Sequence, residues 1–335
     1  MDMRRFRSTL MCCQLALACS QAGCQPAGTT ISDDHLADGK IAIVCTTGMV
    51  ADIVSHVAGE RAAVVALMGE GVDPHLYVPT GSDIRRLQGA DVVFYSGLLL
   101  EGQMQSTFEL MSGKGRPVFA VTADIPKSQL RTPAEFEGHP DPHVWNDVAL
   151  WSLTVDTVAN RLGEFDPEHA AEYLASANVF QAELEGLDRY AREVIASIPE
   201  SQRYLVTAHD AFEYFSRSYG VPVESVQGIT TESEPGVDDI VRLVDMLVTN
   251  KVPAIFVESS VNSANIQSVI EGAKSRGWDV RKGGTLFSDA MGPEGTYEGT
   301  YIGMIDHNAT TIARALGGQA PEKGMQGKLN RTGQE

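Results

Sequence analysis

Two copies of the tripeptide Asp-Pro-His place the strongest constraint on how this chain can fold. One copy ends at His75 and the other at His143, and a third histidine, His209, stands between an alanine and an aspartate. A lone acidic residue, Asp289, comes later. The four residues are separated in sequence by 68, 66 and 80 positions. This even spacing predicts that each of them ends a separate strand-and-helix unit and that all four meet at one cleft.

Three imidazoles and one carboxylate are a donor set that a borderline metal ion such as Zn(II) prefers. Proline fixes its own φ and pushes the preceding residue towards an extended conformation, so the loops that carry the first two histidines are stiff. The aspartate of each tripeptide can cap backbone N–H groups or accept from the far nitrogen of an imidazole. Turn formation alone would explain one copy. Two copies and a third histidine favour a metal site made of His75, His143, His209 and Asp289.

Apolar strands alternate with helical patterns along most of the chain. The predicted strands cover residues 41–45, 63–67, 92–95 and 118–121, and later 204–207, 221–226 and 254–258. Such alternation predicts an α/β fold with parallel sheets flanked by helices. In folds of this kind, binding sites form at the carboxyl ends of the strands.

A long helix is predicted in the middle of the chain. Asp166 and Pro167 form a typical helix start, and apolar residues then recur at helical spacing almost to Pro199. A helix over 166–198 would be roughly 45 Å long, enough to join two lobes as a spine. We therefore expect an N-terminal α/β lobe over 40–165, the spine, a C-terminal α/β lobe over 199–320 with the ligand cleft between the lobes, and a flexible tail over 321–335.

The N-terminus is typical of an export signal. Three early arginines precede a short apolar stretch over 10–18, which is too short to span a membrane permanently. Small residues before Cys24 resemble a bacterial lipoprotein cleavage site. We therefore predict a signal peptide over 1–23, a lipidated Cys24 and a tether over 24–39. Lipidation at Cys19, or a plain secretory peptide, are the alternatives.

Composition limits the partners of the chain. The 335 residues suggest two lobes, and the formal net charge of −18 argues against a nucleic-acid partner, which needs a basic face. Cys45 is the one cysteine after Cys24 and stands in an apolar run. We therefore expect it to be a buried thiol without a disulfide partner.

Several short sequences together carry a family resemblance. They are the Gly-Val-Asp-Pro-His that ends at His75, the Asp-Pro-His-Val-Trp around His143, the Thr-Ala-His-Asp-Ala-Phe around His209, and the Leu-Phe-Ser-Asp-Ala-Met-Gly around Asp289. With other matching stretches they span residues 41 to about 317 and resemble the TroA-like metal-binding lipoproteins of bacterial zinc and manganese ABC importers. The resemblance implies two α/β lobes joined by one rigid helix, with these four residues as metal ligands.

It also implies the working context of the protein. Relatives of this kind are lipid-anchored on the extracytoplasmic face of the cell membrane or in the periplasm. They bind Zn(II) or Mn(II) as cargo and deliver it to a membrane permease, and we expect the chain to act as a monomer. The choice of metal, iron included, stays open, because the chain lacks the histidine-rich loop of many zinc carriers and has His209 where many manganese carriers have glutamate.

Other residues and other functions fit the sequence less well. His139 precedes His143 by four residues, but the prolines at 140 and 142 prevent a regular helix, so joint chelation is not expected. Glu232 and Glu234 could lie near the site, contact the permease or simply be solvated. A zinc hydrolase needs an open coordination position, and four protein ligands leave none. A surface adhesin role is neither supported nor excluded. Glycines around Asp289 predict a mobile loop.

Overall fold

The computed structural model describes residues 39–330. The first half contains the strands β1 (Ile41–Cys45), β2 (Ala62–Ala66), β3 (Val92–Tyr95) and β4 (Val118–Ala120). They form one sheet in the order β2-β1-β3-β4, and every neighbouring pair is parallel. The helices of this half are α1 (Gly48–Ala58), α2 (Gly81–Gly89) and α3 (Gln105–Gly113).

Both faces of this sheet are covered, because alternate residues of a strand point to opposite sides. Ile43 and Phe94 belong to the core that also contains α1. Val44 and Val93 point the other way and pack with Leu87 of α2. A continuous apolar run in each strand is therefore what this buried parallel sheet requires, and the predicted α/β class is confirmed.

Two helices follow the sheet, α4 (Val148–Phe165) and α5 (Ala170–Ala196). A 3₁₀ turn over Pro167–His169 precedes α5, so the regular helix begins later than the sequence predicts. Its 27 residues span about 40 Å. The buried face of α5, with Phe180 and Leu187, belongs to a continuous core that contains Ile43 of the first half and Ile305 of the second. The helix therefore supports both halves of the chain.

The second half repeats the strand-and-helix pattern. Its strands are β5 (Leu205–Thr207), β6 (Val223–Ser225), β7 (Ala254–Glu258) and β8 (Arg281–Leu286). Its helices are α6 (Glu213–Tyr219), α7 (Val237–Asn250), α8 (Ala264–Ser275) and α9 (Tyr301–Ala315). β5 pairs with β6 and β7 pairs with β8, both in parallel, and β5 lies beside β7. Val206, Leu243 and Ile255 belong to a core of this half.

Residues 321–330 differ from the flexible tail that we expected over 321–335. The backbone N–H of Met325 donates to the buried carboxylate of Asp306 at 2.9 Å. The backbone N–H of Asn330 donates to Glu298 at 2.7 Å, and Leu329 is buried. A buried carboxylate is unfavourable unless donors surround it. These hydrogen bonds therefore hold residues 321–330 against the second half of the chain.

Several predictions lie outside the described residues. They are the signal peptide over 1–23, the lipidation of Cys24 or Cys19, and all but the last residue of the tether over 24–39. Between residues 39 and 330, none of the helices is both long enough and apolar enough to cross a membrane.

Candidate metal centre

The four residues singled out in the sequence lie beyond the carboxyl ends of strands. His75 is in the loop between β2 and α2, and His143 is in the loop between β4 and α4. His209 follows β5, and Asp289 follows β8. Because the strands within each sheet are parallel, these loops emerge at the edges where ligand sites form.

The four side chains converge on one point. Each offers a ligand atom, and these atoms all lie within 4.8 Å of one another. Oδ2 of Asp289 lies 3.7 Å from Nε2 of His75 and 3.1 Å from Nε2 of His209, and Oδ1 lies 3.6 Å from Nε2 of His143. None of the four residues is more than 3% exposed. Three imidazole nitrogens therefore face one carboxylate in an enclosed site.

The loop that carries His75 lies at the surface of the protein. Oδ1 of Asp73 accepts from the backbone N–H of His75 at 2.9 Å, which closes an Asx turn. Oδ2 of Asp73 accepts from the hydroxyl of Thr231, in the loop between β6 and α7, at 2.5 Å. Leu76 and Val78 are 52% and 69% exposed. The Asp73 carboxylate thus joins the His75 turn to the second half of the chain.

Residues 141–148, the part of the loop around His143, are all buried. Oδ1 of Asp141 accepts from the backbone N–H of His143 at 3.0 Å and from its ring Nδ1 at 2.8 Å. Oδ2 of Asp141 accepts from Arg131 at 2.9 Å. With its Nδ1–H donating to the carboxylate, the ring presents the lone pair of Nε2 to the centre.

His209 has a partner that the sequence reasoning missed. Oε2 of Glu258, the last residue of β7, lies 2.5 Å from Nδ1 of His209. Oε1 accepts from the backbone N–H groups of Ala208 and His209 at 2.7 and 2.9 Å. The sequence did indicate that Glu258 has partners, because a carboxylate that ends a buried apolar strand destabilises the fold unless donors surround it. Glu258 orients His209 as Asp141 orients His143.

Asp289 is held through its backbone neighbours. The side-chain amide of Asn308, on α9, accepts from the N–H of Phe287 at 2.9 Å and donates to its carbonyl at 2.7 Å. The ring N–H of Trp145 donates to the carbonyl of Ser288 at 2.7 Å. These bonds fix the two residues before Asp289. The bond from Trp145 also links the His143 loop to the Asp289 loop.

The glycines near Asp289 have a packing role that the expectation of a mobile loop did not include. A Cβ at Gly283 would lie 2.6 Å from the ring of Phe256. A Cβ at Gly292 would lie 2.7 Å from the side chain of Glu298. At both positions the missing side chain permits a close approach.

Burial and neighbouring charges set the protonation of the centre. Burial lowers the pKa of His75 to about 3. Burial also acts to lower the pKa of His209, but Asp289 and Glu258 outweigh it and hold that pKa well above its usual value. Burial acts to raise the pKa of Asp289, but His209 and the other two imidazoles hold it well below its usual value. Without a metal ion, a protonated His209 therefore faces an ionised Asp289 at neutral pH.

The residues present fit a bound cation. Nε2 of His209 and both carboxylate oxygens of Asp289 are buried without hydrogen-bond partners, since the 3.1 Å approach between them lacks hydrogen-bonding geometry. Buried polar atoms are seldom left unpaired. A cation among the three Nε2 atoms and the carboxylate would satisfy all of these atoms. The set of three nitrogens and one or two oxygens suits divalent transition metals.

The remaining candidates from the sequence lie away from this centre. His139 is exposed, and its ring contacts that of Phe136. Glu232 is exposed, and Glu234 accepts from the side chain of Asn265 at 3.3 Å. Cys45 is buried, as expected, and it forms no disulfide among the described residues.

The chain has well-matched relatives. The manganese-binding lipoprotein MntA of Bacillus subtilis (strain 168) is 42% identical over 311 residues, which are 93% of this chain and 100% of that protein. The zinc-binding protein TroA of Treponema pallidum (strain Nichols) is 43% identical over 311 residues, 93% of this chain and 99% of that one.

A solved structure and a family model agree with these relatives. The structure of the periplasmic zinc-binding protein TroA from Treponema pallidum matches with a TM-score of 0.80 and 44% identity, covering 83% of this chain and 99% of that chain. The fold expected from the sequence, with lobes on a long helix, is thereby confirmed. The family model of ZnuA, "Zinc-uptake complex component A periplasmic", matches residues 43–315. The chain belongs to the ZnuA family.

Proposed function

We propose that the chain captures Zn(II) or Mn(II) with His75, His143, His209 and Asp289 and releases the ion to the permease of an ABC importer. The observation that carries the proposal is the convergence of three imidazole nitrogens and a carboxylate whose buried oxygens have no hydrogen-bond partner. The ion is cargo, so this chemistry needs reversible capture and no open coordination position for a reacting water.

Family membership supports the role of carrier. ZnuA-family proteins are extracytoplasmic substrate-binding components of metal transport, not enzymes, and this chain is one of them. The hydrolase considered from the sequence finds no support. The relatives named as lipoproteins favour a membrane anchor here, and we propose that lipidated Cys24 provides it. We further propose that the carrier acts as a monomer.

The donor set favours zinc without excluding manganese. One relative is named for manganese and another for zinc. Three nitrogen donors bind Zn(II) more tightly than Mn(II), following the Irving–Williams order. Both oxygens of Asp289 are free of other partners, so the carboxylate can bind through two atoms and raise the coordination number for Mn(II). We propose that both ions bind at this site and that zinc binds more tightly in vitro.

Calorimetric titration of chelator-stripped protein tests the proposal. We expect one Zn(II) or one Mn(II) per chain and no binding of Mg(II), which prefers oxygen ligands and water. His139→Ala is the matched control, because it removes an exposed histidine near the second loop. Absence of binding for both transition metals, or unchanged binding in His209→Ala, would refute the assignment. Metal analysis of protein isolated from its native envelope would then identify the cargo in the cell.

A further inference from the structure

The supports of the metal centre are unequal. Asp141 binds the ring of His143, and Glu258 binds the ring of His209. Trp145 and Asn308 hold the backbone before Asp289. Only the His75 side depends on a turn at the surface.

The enclosure of the site means that some element must move when the ion leaves. The four ligand residues are at most 3% exposed, so no open path leads to the centre. Residues 141–148, around His143, are all buried. Residues 69–71, together with Leu76 and Val78, are exposed on the outer side of the His75 loop. The His75 loop therefore has less packing to lose than the segment around His143.

We propose that the hydrogen bond from Thr231 to Asp73 is a latch that holds the His75 loop over the centre and limits the rate of ion release. The inference rests on the metal-carrier function proposed above. Thr231 touches none of the four ligand side chains in a hydrogen bond, so it acts as a positioning residue. Its effect passes through Asp73 to the backbone of His75.

The two oxygens of Asp73 have separate tasks in this latch. Oδ1 closes the turn onto the N–H of His75, and Oδ2 accepts from Thr231 across the cleft. Loss of the Thr231 hydroxyl therefore leaves the turn intact and removes the link to the second half. A hydrogen bond to a charged group is stronger than a neutral one, and its loss corresponds to about a tenfold change in a rate or an equilibrium.

Thr231→Val removes the hydroxyl and keeps the shape of the side chain, whereas Thr231→Ser keeps the hydroxyl. Thr230→Val is the matched control, because Thr230 is the adjacent residue and makes no side-chain hydrogen bond within the described structure. Zn(II)-loaded proteins would be mixed with excess chelator, and the rate of zinc loss measured by stopped flow. We expect release to be about tenfold faster in Thr231→Val and close to wild type in the other two variants.

A second measurement needs no metal. In chelator-stripped Thr231→Val, amide hydrogen exchange should become faster over residues 72–79 and stay unchanged over residues 141–147. If Thr231→Val fails to fold, Thr231→Ala removes the same hydroxyl and takes its place.

The outcomes separate the latch from the function on which it rests. A wild-type protein that binds neither zinc nor manganese defeats the carrier function, while the exchange experiment still reports on the latch. Zinc binding with wild-type release from Thr231→Val, or unchanged exchange over 72–79, rejects the latch. Equal acceleration in Thr230→Val also rejects it, because the effect would then belong to the whole loop.

Discussion

The two Asp-Pro-His loops have one sequence and two different environments. In the second copy, Asp141 binds the ring of its own histidine and Arg131, and residues 141–148 are all buried. In the first copy, Asp73 binds only the backbone of its own histidine and reaches Thr231 across the cleft. The first loop is exposed on its outer side.

This difference shows that the tripeptide provides a turn and not a fixed role. In both copies the first carboxylate oxygen accepts from the histidine N–H, two residues on. The role depends on the other contacts of each carboxylate, which are the His143 ring and Arg131 for Asp141 and the Thr231 hydroxyl for Asp73. Bonds to a buried ring and to a guanidinium make Asp141 a permanent support, whereas a hydroxyl on another loop makes Asp73 a contact that can open.

The largest expected effect comes from removing the ligands themselves. His75→Ala and His143→Ala should each weaken zinc binding by more than about a hundredfold, the upper range for loss of a supporting residue. His209→Ala and Asp289→Ala should do the same. Titration calorimetry measures the affinities, with His139→Ala as the control that stays at wild type.

The two histidine variants should differ in stability. Without metal, His143→Ala should lower the free energy of unfolding by about 2 kcal/mol, because a buried carboxylate loses a partner. His75→Ala should change it little, since His75 has no carboxylate on its Nδ1. Denaturant unfolding of the stripped proteins measures both. Equal losses would contradict the contrast between the loops.

A smaller effect is expected from the aspartates. Asp141→Asn should weaken zinc binding by about 10–100-fold, because the carboxylate that orients the His143 ring is gone. Asp73→Asn should weaken binding less and mainly through faster release, since the amide oxygen can still close the turn. Stopped-flow association and release rates distinguish the two. A larger loss of affinity in Asp73→Asn would reverse the proposed roles.

The protonation of His209 determines how zinc binding depends on pH. The pKa of His209 is raised by Asp289 and Glu258 against the effect of burial, so zinc must displace a proton from it at neutral pH. His75, with a pKa lowered by burial to about 3, has no proton to lose there. Zinc affinity should therefore rise about tenfold per pH unit below the raised pKa of His209 and fall as pH decreases.

Titration in buffers of different ionisation enthalpy measures this proton. About one proton should be released per zinc ion bound near pH 7. Glu258→Gln removes one of the charges that hold the proton on His209. This variant should therefore release fewer protons per zinc ion than the wild type. Binding without any proton release would show that His209 is neutral before zinc arrives.

Much of this arrangement is present in the sequence because it depends on local chemistry. Continuous apolar runs and the helix start at Pro167 predict the sheets and the long helix, since burial and capping act over a few residues. The spacing of His75, His143, His209 and Asp289 predicts a shared cleft, since the carboxyl ends of parallel strands adjoin.

The contacts that distinguish the two loops could not be predicted in the same way. Thr231 meets Asp73 across a sequence separation of 158 residues, and Trp145 meets Ser288 across 143. Such pairs depend on the tertiary arrangement and leave no local pattern. Glu258 was closer to prediction, because a buried acid at the end of an apolar strand needs partners, but the sequence does not say which imidazole it meets.

The smallest expected effect is the change in overall shape. The long helix α5 contributes to one core that contains residues of both halves, so wide rotation of the halves would break packing along about 40 Å of helix. Zinc binding should therefore change the radius of gyration by less than about 0.5 Å in small-angle scattering, well below hinge closure around a flexible connection. Movement should instead be local, with slower amide exchange over residues 72–79 when zinc is bound and little change over 141–147, where the loop is buried without metal. A change in radius several times larger would mean that release opens the whole cleft. The contrast between the two Asp-Pro-His loops would then reflect packing alone and would not mark the route by which the ion leaves.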